Sequence, residues 1–288
     1  MNHVLITGAT GHVGRHVVER LPATGVRIRA MVRKPETAVL PPHVEVVRGD
    51  LSVPETLDAS LENVDTVFLV WTLGWAAVAP AMERILSRAR RIVYLTAPLR
   101  TPHPLFQQPN PLRIVAEEIE RRIETSGIQW TFLRPGMFSI NALGWWGPQI
   151  RSGADVVRWP YAALPTAPIH EGDIAEVAVR ALCENGHAGA EYLLTGPQSL
   201  SQAEQLHTIG NVIGRSLRME EMLPEEARTE LLRIFRAPVI VNMLLDAWTA
   251  AAGHPAFMTS TFTEITGKPA RTFREWATDH AADFRPST

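Results

Sequence analysis

Thr7-Gly8-Ala9-Thr10-Gly11-His12-Val13-Gly14 follows the apolar run Val4-Leu5-Ile6, and Val13, Val17 and Leu21 then recur at i, i+4 and i+8, the spacing of one helix face. The three glycines therefore stand where a strand passes into a helix. A diphosphate bound at such a place needs a sharply turning chain and backbone N–H groups uncovered by a Cβ. It also gains from the positive end of the helix dipole. Glycines at 8, 11 and 14 meet these needs, and the flanking strand and helix distinguish the loop from an ordinary glycine-rich turn. Gly8, Thr10, Gly11, His12, Val13 and Gly14 are the expected loop residues. His12 is expected to touch diphosphate or solvent rather than perform chemistry.

Outward from this loop the strand and helix signals alternate. Val26–Val32 and Val44–Val47 read as strands. Ser52-Val53-Pro54-Glu55 combines a cap residue, an early proline and a glutamate three positions on, predicting a helix through Leu57 and Leu61. Val64–Trp71 is a nearly continuous apolar run, as a strand buried on both faces requires. A helix over Ala81–Ala89, a strand Ile92–Thr96, a helix Leu112–Ser126 and a strand Ile128–Leu133 continue the series. Repeated units of this kind predict an α/β fold, a doubly wound parallel sheet of the Rossmann type. Residues 97–111 carry five prolines and read as a long loop after a strand, where open α/β sheets place ligands. Further on, helices are expected near 173–185, 202–213, 225–235 and 239–252, with a strand at Glu191–Leu194. The predicted division is a dinucleotide-binding domain over 1–136 and a smaller, mostly helical lobe over 137–288, some of whose strands and helices return to the core.

Composition narrows the class. The formal charge of −2 gives no basic field for nucleic acid or an acidic membrane surface. The arginines clustered at 84–91 and 113–122 fall in helical patterns and read as solvated faces. The uncharged stretch Thr66–Met82 is shorter than the roughly 20 residues of a spanning helix and contains Gly74 and Pro80. Cys183 is the only cysteine, which excludes an intramolecular disulfide and fits a reducing compartment. It is expected to be a buried helix residue. The first strand starts almost at Met1, leaving no room for a secretion signal. A cytoplasmic protein acting on a small molecule, without nucleic acid, membrane or metal, is the expectation.

The loop spacing is G-x-x-G-x-x-G rather than the general G-x-G-x-x-G. With TGATGHVGRHVVERL (7–21), MVRKPE (31–36), VEVVRGDLS (44–52), VDTVFLV (64–70) and SGIQWTFLRPGMF (126–138), the chain resembles the atypical and extended short-chain dehydrogenase/reductases, in particular the NmrA-like branch. GDIAEVAVRAL, EYLLTG and the Gly-Lys-Pro at 267–269 extend the likeness weakly. The resemblance implies that the residue after the second strand meets the adenosine ribose. Here that place holds Arg33 and Lys34, with no acid for the 2′-hydroxyl of NAD and a guanidinium suited to the 2′-phosphate of NADP, so NADP(H) is the expected cofactor. The alternative is a solvent-facing Arg-Lys at a strand end. Asp50 and Leu51 resemble the family's adenine-edge pair, Pro135 and Gly136 its turn beside the nicotinamide, and Trp71 and Thr96 are further expected cofactor contacts at strand ends.

The family's Tyr-x-x-x-Lys pair, in which lysine lowers the tyrosine's pKa, is absent. Four residues after Tyr94, Tyr161 and Tyr192 stand Pro98, Pro165 and Gly196, and the only lysines are Lys34 and Lys268. The catalytic lysine of isoflavone-reductase relatives aligns with Ala116. Glu117, Glu118 and Glu120 read as solvated helix carboxylates without a role. Tyr161 and His170, the latter three residues before the expected helix cap Asp173, are candidate proton donors, each with a structural role as the competing reading. Met137, Phe138, Trp145 and Trp146, with Asn141 as a polar anchor, form an expected aromatic substrate wall, against the alternative of core packing. Two functions follow. One is an NADPH-dependent reductase of a small apolar or aromatic acceptor (imine or iminium, quinone, enone or ketone). The other is a catalytically silent NADP(H) sensor reporting to a protein partner.

Overall fold

The computed structural model describes residues 3–110 and 112–285. Its first half contains β1 (His3–Thr7), α1 (His12–Arg20), β2 (Arg27–Val32), β3 (Glu45–Arg48), α2 (Leu57–Ser60), β4 (Thr66–Val70), α3 (Val78–Leu86) and β5 (Arg91–Leu95), then α4 (Pro104–Gln107), α5 (Arg113–Thr125) and β6 (Gln129–Pro135). The second half runs α6 (Asn141–Trp145), α7 (Gly147–Arg151), β7 (Val156–Trp159), β8 (Pro165–Thr166), α8 (Glu171–Cys183), β9 (Ala190–Leu194) and β10 (Leu200–Ser201). It closes with α9 (Gln202–Ile213), β11 (Arg218–Glu221), α10 (Pro224–Phe235), α11 (Pro238–Ala251), α12 (Thr261–Thr266) and α13 (Phe273–Asp279).

Seven strands form one sheet in the order β3-β2-β1-β4-β5-β6-β9. The registers Leu5↔Arg29, Leu5↔Val67, Phe68↔Val93 and Tyr94↔Phe132 are all parallel. Strand order reverses between β1 and β4, and ligands of open α/β sheets bind beyond the carboxyl ends at such a reversal. This is the doubly wound Rossmann arrangement that the alternation predicts.

The chain divides into two discontinuous units. One holds the chain through Ala97, α5 with β6, and Glu171–Leu193; the other holds Pro98–Asn110, Gly136–His170 and the chain from Leu194 onward. In the first, Leu5, Val67, Leu69, Ile92 and Phe132 of the sheet pack with Met82 and Ile85 of α3 and Ile119 and Ile123 of α5. Each such side chain contributes about 1.5–3 kcal/mol on burial. In the second, Trp145, Trp146, Trp159, Trp248, Phe273, Trp276 and Phe284 form an aromatic core. Trp145 stacks on Trp159 at 5.8 Å and meets Trp248 edge-on at 5.5 Å.

Several local expectations are corrected. Ser52 does not cap a helix, because its hydroxyl and N–H both bond Asp50 Oδ1, at 2.7 and 2.8 Å. A short 3-10 turn, Pro54–Thr56, leads into the single turn of α2. The proline-rich loop contains one helical turn, α4, with His103 Nδ1 accepting from the Leu105 N–H. Asp173 is not a cap; α8 begins at Glu171 and Asp173 is buried in its first turn. Cys183 ends α8 half-buried, and burial pushes its thiol pKa up, which leaves it poorly nucleophilic.

Candidate dinucleotide site and apolar cavity

The glycines of the first loop have three different jobs. Gly8 sits at φ +65°, in the left-handed region. The Gly11 N–H donates to the Gly8 carbonyl at 2.9 Å, closing the turn. Gly11 then caps α1 in extended conformation with no side-chain partner, and no acidic residue occupies the helix's first turn. The positive helix end there, with no carboxylate beside it, suits an anion. A Cβ on Gly11 would meet only the Gly8 carbonyl, at 3.1 Å, whereas one on Gly14 would stand 2.1 Å from that oxygen. Gly14 thus lets α1 approach the loop, and Gly11 keeps the loop uncovered. Val13 is buried, so its side chain packs inward. His12 and Thr10 are exposed.

A cleft of about 790 Å³ opens at the carboxyl ends of β1, β2 and β4, lined by Gly8, Thr10, Arg33, Lys34, Asp50 and Leu51, among others. Six expected cofactor residues thus meet in one cavity. The sequence reading missed Thr7, Gly49, Thr72 and Leu73, which share the lining. Buried Thr7 accepts the Val70 N–H at 2.7 Å and so ties β1 to β4 at the mouth. A Cβ on Gly49 would lie 2.6 Å from Met31 Sδ and 2.7 Å from Ser60 Oγ, so both side chains would have to move to admit one. The glycine before Asp50 was the available signal. Arg33 and Lys34 are exposed. The Asp50 carboxyl is held below its usual pKa, first by the Ser52 hydroxyl, then by the Ser52 N–H, with Arg33 adding to the effect. It remains an acceptor at neutral pH. This glycine cradle, with a basic pair and an ionised carboxylate in the same cleft, fits a nicotinamide dinucleotide.

Trp71 does not line the cleft; its indole N–H donates to the Leu73 carbonyl at 2.8 Å and its ring packs half-buried on the core. Thr96 belongs to a buried network. Its hydroxyl donates to Glu120 Oε1 at 2.7 Å, and Arg134 grips both Glu120 oxygens at 2.9 Å each. Arg134 Nε also donates to Glu191 at 2.8 Å, and Nη1 to the Ala97 carbonyl at 2.9 Å. The expectation of a solvated Glu120 is therefore wrong, since its side chain is 0 % exposed and that of Arg134 is 2 %. Burial opposes the Arg134 charge, but the hydrogen bonds and charges of Glu120 and Glu191 outweigh it and raise its pKa. Glu118 is half-buried rather than fully solvated, paired with Arg121 and Arg122. Pro135 ends β6, and the Gly136 N–H donates to the Leu194 carbonyl at 2.9 Å.

The second unit contains an apolar cavity of about 180 Å³, lined by Pro98, Leu105, Phe106, Gly136, Met137 and Trp248, with Gln108 and Asn110 among the polar groups. Of the expected substrate wall, only Met137 lines it. Asn141 donates to Met137 Sδ at 3.4 Å, and Phe138 bridges to Ile169. Trp145 and Trp146 are core residues, because their short helix turns them into the tryptophan cluster. Tyr161 and His170 line neither cavity. The Tyr161 hydroxyl shares a 2.6 Å hydrogen bond with Thr249, and its backbone sits at φ +55°. His170 is buried, 3.3 Å from Asp279. Both hold the second unit together.

Residues 8–185 match the NAD(P)H-binding family. The chain belongs to this family. Over 98 % of its length it is 38 % identical to a (4-alkanoyl-5-oxo-2,5-dihydrofuran-3-yl)methyl phosphate reductase of Streptomyces griseus, covering 99 % of that protein. It is 31 % identical, again over 98 % of its length and 99 % of the other's, to an NAD(P)H azoreductase of Xenophilus azovorans. Its fold is that of the NADPH-dependent quinone oxidoreductase QOR2 of Escherichia coli, at a TM-score of 0.78 and 23 % identity, covering 96 % of this chain and 98 % of that one. This member of the NAD(P)H-binding family is accordingly an NAD(P)H-dependent oxidoreductase of the atypical, NmrA-like short-chain dehydrogenase/reductase group. Among the described residues no helix is long and apolar enough to cross a membrane.

Proposed function

We propose that the protein is a cytoplasmic, NADPH-preferring reductase of a small, apolar, conjugated acceptor. The observation that carries the cofactor preference is the cleft lined by Gly8 and Thr10 at one end of a dinucleotide and by exposed Arg33 and Lys34 where an acid would select NAD. A guanidinium pairs with a 2′-phosphate through charge-assisted hydrogen bonds and has no such partner on a 2′-hydroxyl. The cytoplasmic assignment is supported by the single thiol.

The bound cofactor supplies a hydride. The Gly8–Gly14 loop would hold the diphosphate, Asp50 would accept from the adenine edge, and Phe106, Met137 and Trp248 would desolvate the acceptor. No tyrosine–lysine pair is needed for an iminium, which takes hydride directly, or for a quinone or enone, which draws its proton from water. Orientation alone then lowers the barrier by roughly 7–11 kcal/mol. Relatives named as reductases of a dihydrofuranone phosphate and of azo compounds support an acceptor with an activated double bond.

Titration of wild type and Arg33→Ala with NADPH and NADH tests the cofactor reading. Loss of a charged contact worth about 1.5–3 kcal/mol weakens NADPH binding about 10- to 150-fold and leaves NADH binding nearly unchanged. Equal affinities in the wild type remove the preference. Following NADPH absorbance with quinones, enones, imines and ketones tests the acceptor class, and no turnover with any of them refutes it.

A further inference from the structure

Arg134 has a position that packing alone does not require. A guanidinium that is 2 % exposed sits near the end of β6, the strand next to the sheet's edge, with all three of its nitrogens engaged, by Glu120, Glu191 and the Ala97 carbonyl. Glu120 in turn accepts the Thr96 hydroxyl. These partners cluster where the chain leaves the sheet unit. Ala97 is the last residue before Pro98, Pro135 directly follows Arg134 and precedes Gly136, and Glu191 stands two residues before Leu193, the last of its segment. One buried cation therefore holds the chain at Ala97, beside Pro135 and at Glu191. The residues immediately beyond two of them, Pro98 and Gly136–Met137, line the 180 Å³ cavity.

We propose that Arg134 is a positioning residue for reduction: held by Glu120 and Glu191, it fixes the Ala97 carbonyl and the backbone at Pro135, and so orders the chain that continues directly into Pro98 and Gly136. An apolar pair of similar volume would fill the same space, and such replacements of buried ion pairs are often neutral for stability. What only the guanidinium supplies is a planar donor that reaches two carboxylates and a carbonyl at once. Lysine in its place keeps a charge for Glu120 but cannot span all three acceptors. The inference rests on the acceptor reading above only for its effect on turnover.

The test uses the full-length protein as wild type, as Arg134→Met combined with Glu120→Leu, and as Arg134→Lys. The double variant is expected to melt near the wild-type temperature and to bind NADPH within about twofold of it. Its kcat for an active acceptor falls about tenfold or more, since a displacement near 1 Å can cost as much as 100-fold. Amide hydrogen exchange supplies a readout independent of turnover: residues 98–110 and 136–138 exchange about tenfold faster, while the amides of β1 and β4 keep their protection. Arg134→Lys shows the same pattern at smaller amplitude, and it decides the matter if the double variant does not fold. Wild-type exchange in these segments together with wild-type kcat overturns the proposal. Absence of any acceptor turnover in the wild type refutes the acceptor reading, while exchange still decides the role of Arg134.

Discussion

Alanine at Gly14 should damage the fold, and alanine at Gly11 should damage only the cofactor site. At position 14 the added Cβ would lie 2.1 Å from the Gly8 carbonyl oxygen, 2.8 Å from its carbon and 3.1 Å from Ala9 Cα. All three are backbone atoms of a turn already closed by the Gly11 N–H, so none can swing aside as a flexible side chain would. Helix α1 must then retreat from the sheet end by about an ångström. Overpacking of this kind costs about 1–3 kcal/mol, and rigid backbone neighbours place it at the upper end. Replacing a helical glycine by alanine recovers about 1 kcal/mol, which leaves a net loss of about 2 kcal/mol. For a domain of 150–250 residues that lowers the melting temperature by about 4–8 °C. At position 11 the backbone, φ −82° and ψ 175°, suits any residue, and the new Cβ would stand 3.1 Å from the Gly8 carbonyl oxygen, a tight contact relieved by a shift of a few tenths of an ångström rather than the retreat of a helix. Gly11→Ala should melt within about two degrees of wild type yet bind NADPH at least about tenfold more weakly, because the methyl would cover the loop backbone proposed to hold the diphosphate. Differential scanning calorimetry and fluorescence titration of both variants give the answer. A Gly14→Ala protein as stable as wild type, or a Gly11→Ala protein with intact NADPH affinity, refutes this division of labour.

Tyr161→Phe should retain turnover within about twofold, since its hydroxyl bonds Thr249 and it lines neither of the two cavities described above; a hundredfold loss of kcat would restore it as a proton donor. Trp145→Ala, which empties a site between Trp159 and Trp248, should cost about 3–5 kcal/mol on denaturant unfolding, and a smaller loss would mean that the aromatic core collapses around the gap. The Asp50 carboxyl has a folded pKa below its unfolded one. It therefore contributes stability that is fully present above the unfolded value and is lost as pH falls through the folded one. Ser52→Ala removes the leading cause of the shift, so the variant should show a higher Asp50 pKa by NMR titration and a shallower loss of stability in acid.

The strand–loop–helix unit at the start of the chain was legible because apolar period and glycine spacing act within a dozen residues. Helices α9 and α11 were legible for the same reason: Leu206 and Ile209, and Val241 and Trp248, repeat at helical spacing on buried faces. Glu120 was misread because its neighbours Glu117 and Glu118 suggested a wet face, yet Ala116, Ile119, Glu120 and Ile123 form one buried stripe. A carboxylate on that stripe and an arginine inside the apolar strand Gln129–Pro135 were complementary signals, visible only if two distant segments are read together. Trp145 and Trp146 were misplaced for a related reason. Aromatic content alone does not say which side of a short helix faces a cavity, and α6 is only five residues long. The parallel pairing of β7 with β11, Val157 opposite Met219, joins segments some sixty residues apart with little alternation to announce it.

The interleaving of the two units bears on how the polypeptide is made. Synthesis delivers Pro98–Asn110 and Gly136–His170 long before the segments from Leu194 onward with which they pack, so these stretches must wait on the ribosome with their tryptophans uncovered. The sheet has a shorter wait, yet it also lacks a layer until Glu171–Cys183 emerges, because α8 packs on α1 and on β4, β5 and β6. A genetic fragment cut after residue 136 would carry the whole glycine loop and both basic cleft residues while leaving β4, β5 and β6 without α8 on one face and β6 without its edge partner β9. Dissection of this enzyme into an isolated cofactor module therefore calls for residues 171–193 to be grafted back onto the truncated chain.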